Sequence, residues 1–215
     1  MKLFKFGGSL AGHIALYRKV IARCHQIATP AVAVIGTGCV PQLEALVTAG
    51  VYGNVMEVPL LARLGIANCV QEANEHLFCL LSGSTNLRCK AEAAHEEAAE
   101  QKCFRLIDVN DYFCRNNVEM VYGSDCRAAF LSNALNIREM VLVKSFDVAS
   151  LPNPVPYKEL QKLHPHALDY GFAKYVTAAL SISLLGVDDC VKYTPDLWVS
   201  KQKHILFKTM SEFEV

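Results

Sequence analysis

Two short apolar strands, each closed by a glycine turn and separated by a helical stretch, constrain this chain more than any other feature. Lys2–Phe6 alternates and stops at Gly7-Gly8-Ser9, and Ala31–Ile35 is an unbroken apolar run that stops at Gly36-Thr37-Gly38. Between them, Leu10–Ile27 carries Leu10, Ile14, Leu16, Val20, Ile21 and Cys24 at helical spacing, with Ser9 as the expected N-cap. A strand that is apolar at every position is covered on both faces, and parallel strands need a helical crossover. The pattern predicts an α/β fold: a three-layer αβα sandwich with a mainly parallel central sheet and a ligand crevice at the carboxyl ends of its strands.

The rest of the chain extends this alternation. Helices are expected over Pro41–Ala49, Val55–Glu75, Ala91–Gln101 and Cys126–Leu135, with a further one inside Pro165–Leu185. Strands are expected at Leu77–Leu81, Phe104–Val109, Glu139–Val143, Asp189–Lys192 and His204–Lys208, and Leu151–Pro156 is an extended, proline-rich loop. No repeat, low-complexity tract or linker divides the sequence, so residues 1–215 form one domain.

Composition removes several function classes. Lys+Arg and Asp+Glu number 21 each, so no charge excess favours nucleic acid or an anionic membrane surface. No apolar run is long enough to span a membrane. The nine cysteines include no CxxC pair, and Met1-Lys2-Leu3 runs straight into the first strand without a leader, so a reducing cytoplasm with thiols used as small hydrophobes is expected. Walker A, GxGxxG, HExxH and GxSxG motifs are all lacking.

The chemistry-bearing segment comes first in the chain. In Lys5-Phe6-Gly7-Gly8-Ser9-Leu10, a lysine ends a strand, two glycines open backbone N–H groups to a ligand, and a helix start follows. Together these make an anion site, although a plain strand-to-helix turn would use the same residues. With Gly36-Thr37-Gly38 after the second strand, Gly123-Ser124-Asp125-Cys126, and Glu139–Val143 running into Lys144-Ser145-Phe146-Asp147, the segment resembles the amino acid kinase superfamily of aspartate, acetylglutamate, carbamate and uridylate kinases. Within it, the stretch Gly123–Val143 looks most like the small archaeal-type kinase of methanofuran biosynthesis, which phosphorylates an aminomethylfuran phosphate.

The resemblance implies ATP and Mg2+, a small-molecule phosphate or carboxylate acceptor, and a homo-oligomer. It implies that Lys5 and Asp125 are catalytic, Lys5 neutralising the transferring phosphoryl oxygens and Asp125 orienting the lysines. Gly7, Gly8, Ser9, Gly36, Thr37, Gly38 and Ser124 would bind phosphate or acceptor. Lys144, Asp147 and Lys174 would lie on the nucleotide side. Read without the resemblance, Asp125 is equally an N-cap of the helix that follows it, and Asp147 a solvated loop acid.

The chain departs from the family pattern at several points. Thr37 replaces a glycine, and Lys144–Val148 loses an acid and a glycine of the T-D-x-D-G segment. Register from Gly171 and Ala178-Ala179 puts Tyr175 where the family has a second lysine, with Lys174 one residue away and Lys144 as the other compensating cation. A small-molecule kinase with a divergent nucleotide half and a catalytically silent binding protein therefore both fit. No metal site is expected, because His164-Pro165-His166 lacks further ligands. Arg127 and Arg138 are expected as helix-face charges, and Cys39 as a packed thiol.

Overall fold

The computed structural model describes residues 1–38, 45–46, 49–51, 53–54, 57–84, 87–101, 103–116, 118, 121 and 123–207, without the side chains of Ser9, Ala11 and Leu60. Cys39 and most of the helix expected over Pro41–Ala49 lie outside the described residues. Among the described residues eight strands, β1 (Lys2–Phe6), β2 (Ala31–Ile35), β3 (Arg88–Cys89), β4 (Phe104–Ile107), β5 (Glu139–Lys144), β6 (Val155–Pro156), β7 (Ser181–Gly186) and β8 (Lys203–Leu206), form one sheet in the order β3-β4-β2-β1-β5-β7-β8-β6. All pairings are parallel except β7–β8. The helices are α1 (Ile14–Cys24), α2 (Leu60–Ser82), α3 (Ala91–Gln101), α4 (Val109–Arg115), α5 (Ser124–Ala134), α6 (Tyr157–Leu163), α7 (Val187–Lys192) and α8 (Pro195–Lys201).

The pleat sorts the strands' side chains into two cores. Leu3, Val32, Val34, Met140 and Leu142 pack on one face with α3 and α5, while Phe4, Phe6, Ala33, Ile35, Val141 and Val143 pack on the other with α1 and Trp198 of α8. The three-layer αβα sandwich expected from the sequence is the architecture found. Among the described residues no helix is long and apolar enough to cross a membrane.

Four local expectations are corrected. Leu77–Leu81 is not a strand but the last turns of α2, a 23-residue helix that ends on Gly83 in the left-handed region at φ 69°. Its apolar run misled because Phe78 is buried while Leu80 is exposed, a helical rather than an alternating pattern. Asp189–Lys192 lies in α7, and the expected late helix is a short 3-10 turn, Phe172–Tyr175, followed by the buried strand β7. A strand covered on both faces has no polar side, so periodicity alone does not separate it from a buried helix. The first helix begins at Ile14 rather than Leu10, because Gly8–Gly12 forms a 3-10 turn, and His13 rather than Ser9 is the N-cap of α1.

Candidate functional site

Period-two geometry and strand register bring two lysines together. Lys5 follows Leu3 by two on β1, and Lys144 follows Leu142 by two and Met140 by four on β5, so both belong to the face that α5 covers. β1 pairs with β5 with Lys5 opposite Leu142 and Phe6 opposite Val143, which puts Lys144 one pleat beyond Lys5 on the neighbouring strand. Helix α5 packs there through Cys126, Ala128, Ala129 and Leu131, and its first turn delivers Asp125 to both ammonium groups. Lys5 Nζ lies 2.7 Å from Asp125 Oδ1, and Lys144 Nζ donates to Asp125 Oδ2 at 2.6 Å.

All three groups are largely removed from water, Lys5 at 5% and Asp125 at 1% exposure. Burial alone would raise the Asp125 carboxyl, but the charges of Lys5 and Lys144 together outweigh it and hold it below the usual carboxylate range. Burial, and then repulsion from Lys5, pulls the Lys144 ammonium down. Removing an ion from water costs several kcal/mol, roughly, and well-packed apolar replacements of such clusters are often as stable. Two cations on one carboxylate are therefore a poor stability device but a suitable fixed field for an incoming anion.

Next to the lysines the chain makes a backbone cradle. A Cβ on Gly8 would lie 2.4 Å from the Gly36 carbonyl oxygen and from the Thr37 carbonyl carbon, and one on Gly36 would lie 2.8 Å from Gly8 N and 2.9 Å from Ser124 Oγ. Only hydrogen at these two positions allows the loops after β1 and β2 to touch. Helix α2 clamps the second loop: Asn74 Nδ2 donates to the carbonyls of Gly36 at 3.0 Å and Thr37 at 2.8 Å, and Gln71 Nε2 to that of Ile35 at 3.0 Å. The cradle opens into a cavity of about 510 Å³ whose walls include Lys5, Gly7, Gly8, Thr37, Gly38, Ser124, Asp125 and Lys144.

Among the wall residues not singled out as site residues in the sequence, four are titratable: Arg63, Arg127, His166 and Asp169. Arg127 is not a helix-face charge. It is 6% exposed, and its guanidinium donates to Gln71 Oε1 and Asn68 Oδ1, both at 2.8 Å, and to Asn110 Oδ1 and the Val121 carbonyl, both at 3.3 Å. It ties α5 to the α2 helix that clamps the cradle. Asp169 takes the Asp125 N–H on its Oδ2 at 2.6 Å, and no sequence signal marks it, since it lies 44 residues away in a loop. Asp125, the alternative N-cap, is not the cap of α5; that position is Gly123.

The remaining expected residues are placed as follows. Gly36 backs the cradle, and the side chain of Ser9 lies outside the described residues. Asp147 is exposed, with its Oδ1 accepting from Ser150 N, and Lys174 is exposed on the 3-10 turn; neither belongs to the cavity wall. The helical register argument about Lys174 and Tyr175 lapses, because no α-helix is there. His164 stacks on Phe146 at 4.3 Å, and Phe146 and His166 reach the wall. Among the described residues no group of three or more His, Cys, Asp or Glu could hold a metal.

No family model matches the sequence, and no curated protein matches it. Solved structures do. Aspartate kinase from Synechocystis superposes with a TM-score of 0.61 at 13% identity, over 86% of this chain and 37% of that one. UMP kinase from Ureaplasma parvum gives 0.66 at 10% identity over 97% and 99% of the two chains, and uridylate kinase from Archaeoglobus fulgidus gives 0.58 at 12% over 95% and 99%. The chain has an amino acid kinase-like fold. It thus spans little more than a third of the length of the aspartate kinase but nearly the whole of both UMP kinases. In this amino acid kinase-like fold the paired lysines, the glycine cradle and the N-terminal end of α5 all face the carboxyl ends of β1, β2 and β5.

Proposed function

We propose that this protein transfers the γ-phosphoryl group of ATP to a small acidic acceptor, a phosphate or a carboxylate. The observation that carries the reading is the Lys5–Asp125–Lys144 cluster, with two ammonium groups fixed by one carboxylate beside a glycine cradle. Phosphoryl transfer needs positioning and charge neutralisation more than covalent help, and this cluster supplies both. The γ-phosphorus exchanges its bond to the β–γ bridging oxygen for one to an acceptor oxygen, and negative charge moves to the leaving ADP. Lys5 and Lys144 offer positive charge to the transferring oxygens, while the backbone N–H groups of the cradle orient phosphate. Mg2+ would arrive with the nucleotide and neutralise its phosphates.

An acceptor that is already ionised at neutral pH brings no proton to remove. That fits a site whose central carboxylate is fully engaged by lysines and is not available as a base. Aminomethylfuran phosphate, the acceptor of the kinase type that Gly123–Val143 resembles, is the first compound to assay. Calorimetric titration with ATP·Mg2+, followed by ADP release with phosphorylated and carboxylated acceptors, tests the reading. Saturable binding with acceptor-dependent ADP release is expected. Absence of binding at millimolar nucleotide would leave a catalytically silent binding protein, a reading favoured by the exposure of Asp147 and Lys174.

A further inference from the structure

We propose that Asp169 is the positioning residue of this site: it caps helix α5 from a distant loop and thereby fixes Asp125, and through Asp125 both lysines. The proposal rests in part on the phosphoryl-transfer reading above, but its first test does not.

The need for such a residue follows from the start of α5. A helix leaves its first N–H groups without partners, and an N-cap side chain normally accepts from one of them. The N-cap here is Gly123, which has no side chain and sits at φ 80°. The missing acceptor comes from Asp169, whose Oδ2 takes the Asp125 N–H at 2.6 Å. The link runs both ways, since the Asp169 N–H donates to Asp125 Oδ2 at 3.3 Å. Asp125 Oδ2 is also the oxygen that accepts from Lys144. The orientation of the Asp125 carboxylate is thus set by the ion pair with Lys5 and by two donors, Lys144 and the Asp169 backbone.

Gly123 confirms that the space is committed. A Cβ there would fall 2.3 Å from the Asp169 carboxyl carbon, so glycine is required both by the backbone angle and by the capping carboxylate. The segment that follows Asp169 is held along α5 by further bonds, Asn133 Nδ2 to the Tyr175 carbonyl at 2.7 Å and Thr177 Oγ1 to Asn133 Oδ1 at 2.9 Å. Charged groups face Asp169 from every element around it: Asp125 on α5, Lys5 on β1 and Lys144 on β5, with Arg63, Arg127 and His166 also on the cavity wall. Burial and the Asp125 charge raise the Asp169 carboxyl above its ordinary range.

Two substitutions separate a positioning role from a purely electrostatic one. Asp169→Asn keeps a carbonyl oxygen for the Asp125 N–H and loses the charge; Asp169→Ala loses both. Amide NMR on deuterated protein, which tolerates the mass of an assembly, reads the Asp125 N–H. In the wild type the Asp125 amide proton is expected far downfield, as for a short charge-assisted bond, and it moves as Asp169 titrates. Asp169→Asn should keep a downfield signal that no longer titrates, and Asp169→Ala should lose it. Binding of inorganic pyrophosphate, measured by calorimetry, should weaken about tenfold or more in Asp169→Ala and much less in Asp169→Asn. An Asp125 amide unmoved in Asp169→Ala overturns the proposal, as does a pyrophosphate affinity equal in Asp169→Ala and wild type. If the wild type itself binds neither pyrophosphate nor ATP·Mg2+, the phosphoryl reading fails, while the amide signal still decides the role of Asp169.

Discussion

Lys144 reaches the carboxylate that Lys5 holds from the adjacent parallel strand, one pleat further toward the carboxyl end of the sheet. The second cation of the site therefore comes from β5, not from the late segment where the sequence pattern directs attention. On the proposed function, Lys5→Met and Lys144→Met should each weaken ATP·Mg2+ binding by about tenfold or more, since each would remove a charge-assisted contact to phosphate. Lys174→Met, an exposed change outside the cavity wall, should stay within about twofold of wild type. Calorimetry on the three variants checks this, and a large effect confined to Lys174→Met would contradict the assignment of Lys144.

Removing the shared carboxylate is a different perturbation. Asp125→Ala leaves two buried ammonium groups facing each other and should destabilise the fold by about 3–5 kcal/mol in urea denaturation. The pH dependence follows in sign. Asp125 titrates below its ordinary 3.8 when folded, so its contribution is complete above that value and is lost as pH falls through the lowered one. The wild type should lose stability in that acid range, and Asp125→Ala should show a shallower acid limb.

Gly8 and Gly12 offer a paired test of the cradle. Gly8→Ala drives a methyl into the backbone of Gly36 and Thr37 and should cost about 3 kcal/mol as well as closing the phosphate approach. Gly12→Ala meets no atom within 4 Å and should change stability by less than about 1 kcal/mol. Thermal unfolding of the two variants reads the difference.

Glu75, fully buried on α2, pairs with Arg88 at 2.9 Å. Burial outweighs the pull of Arg88 and lifts its carboxyl from 4.5 to about 8. A raised folded value means the contribution is present below 4.5 and is lost as pH rises through about 8. Urea midpoints taken at intervals from acid to alkaline pH should decline across that window in the wild type and decline less in Glu75→Gln.

Helix α2 also bears on assembly. Its outer side exposes Leu61 at 76% and Leu80 at 77% together with Ala62, Gly65, Cys69 and Ala73, around Glu72 and His76, and large apolar side chains left exposed along one helix favour a partner. The homo-oligomer expected from the sequence is proposed to use this face. Light scattering should give a multiple of 23.7 kDa, and Leu61→Glu should return the single-chain mass.

The layers of the fold were legible in the residues themselves. Unbroken apolar runs at Ala31–Ile35 and Met140–Val143, closed by turn residues and alternating with helical periods, leave few arrangements other than a covered parallel sheet. The glycine turn after Lys5 was likewise legible as a turn, because its meaning is local: it depends on the backbone of a few consecutive residues. The period-two position of Lys144 after Met140 and Leu142 was visible too, but not its neighbour. Only the strand order β2-β1-β5 placed Lys5 and Lys144 side by side, and strand order is a property of the whole chain. The same holds for Asp169 and Arg127. One caps a helix 44 residues earlier in the chain, and the other binds amides 56 and 59 residues away, so neither role leaves a local signature. Local chemistry determined what kind of site this chain can build, and long-range packing decided which side chains complete it.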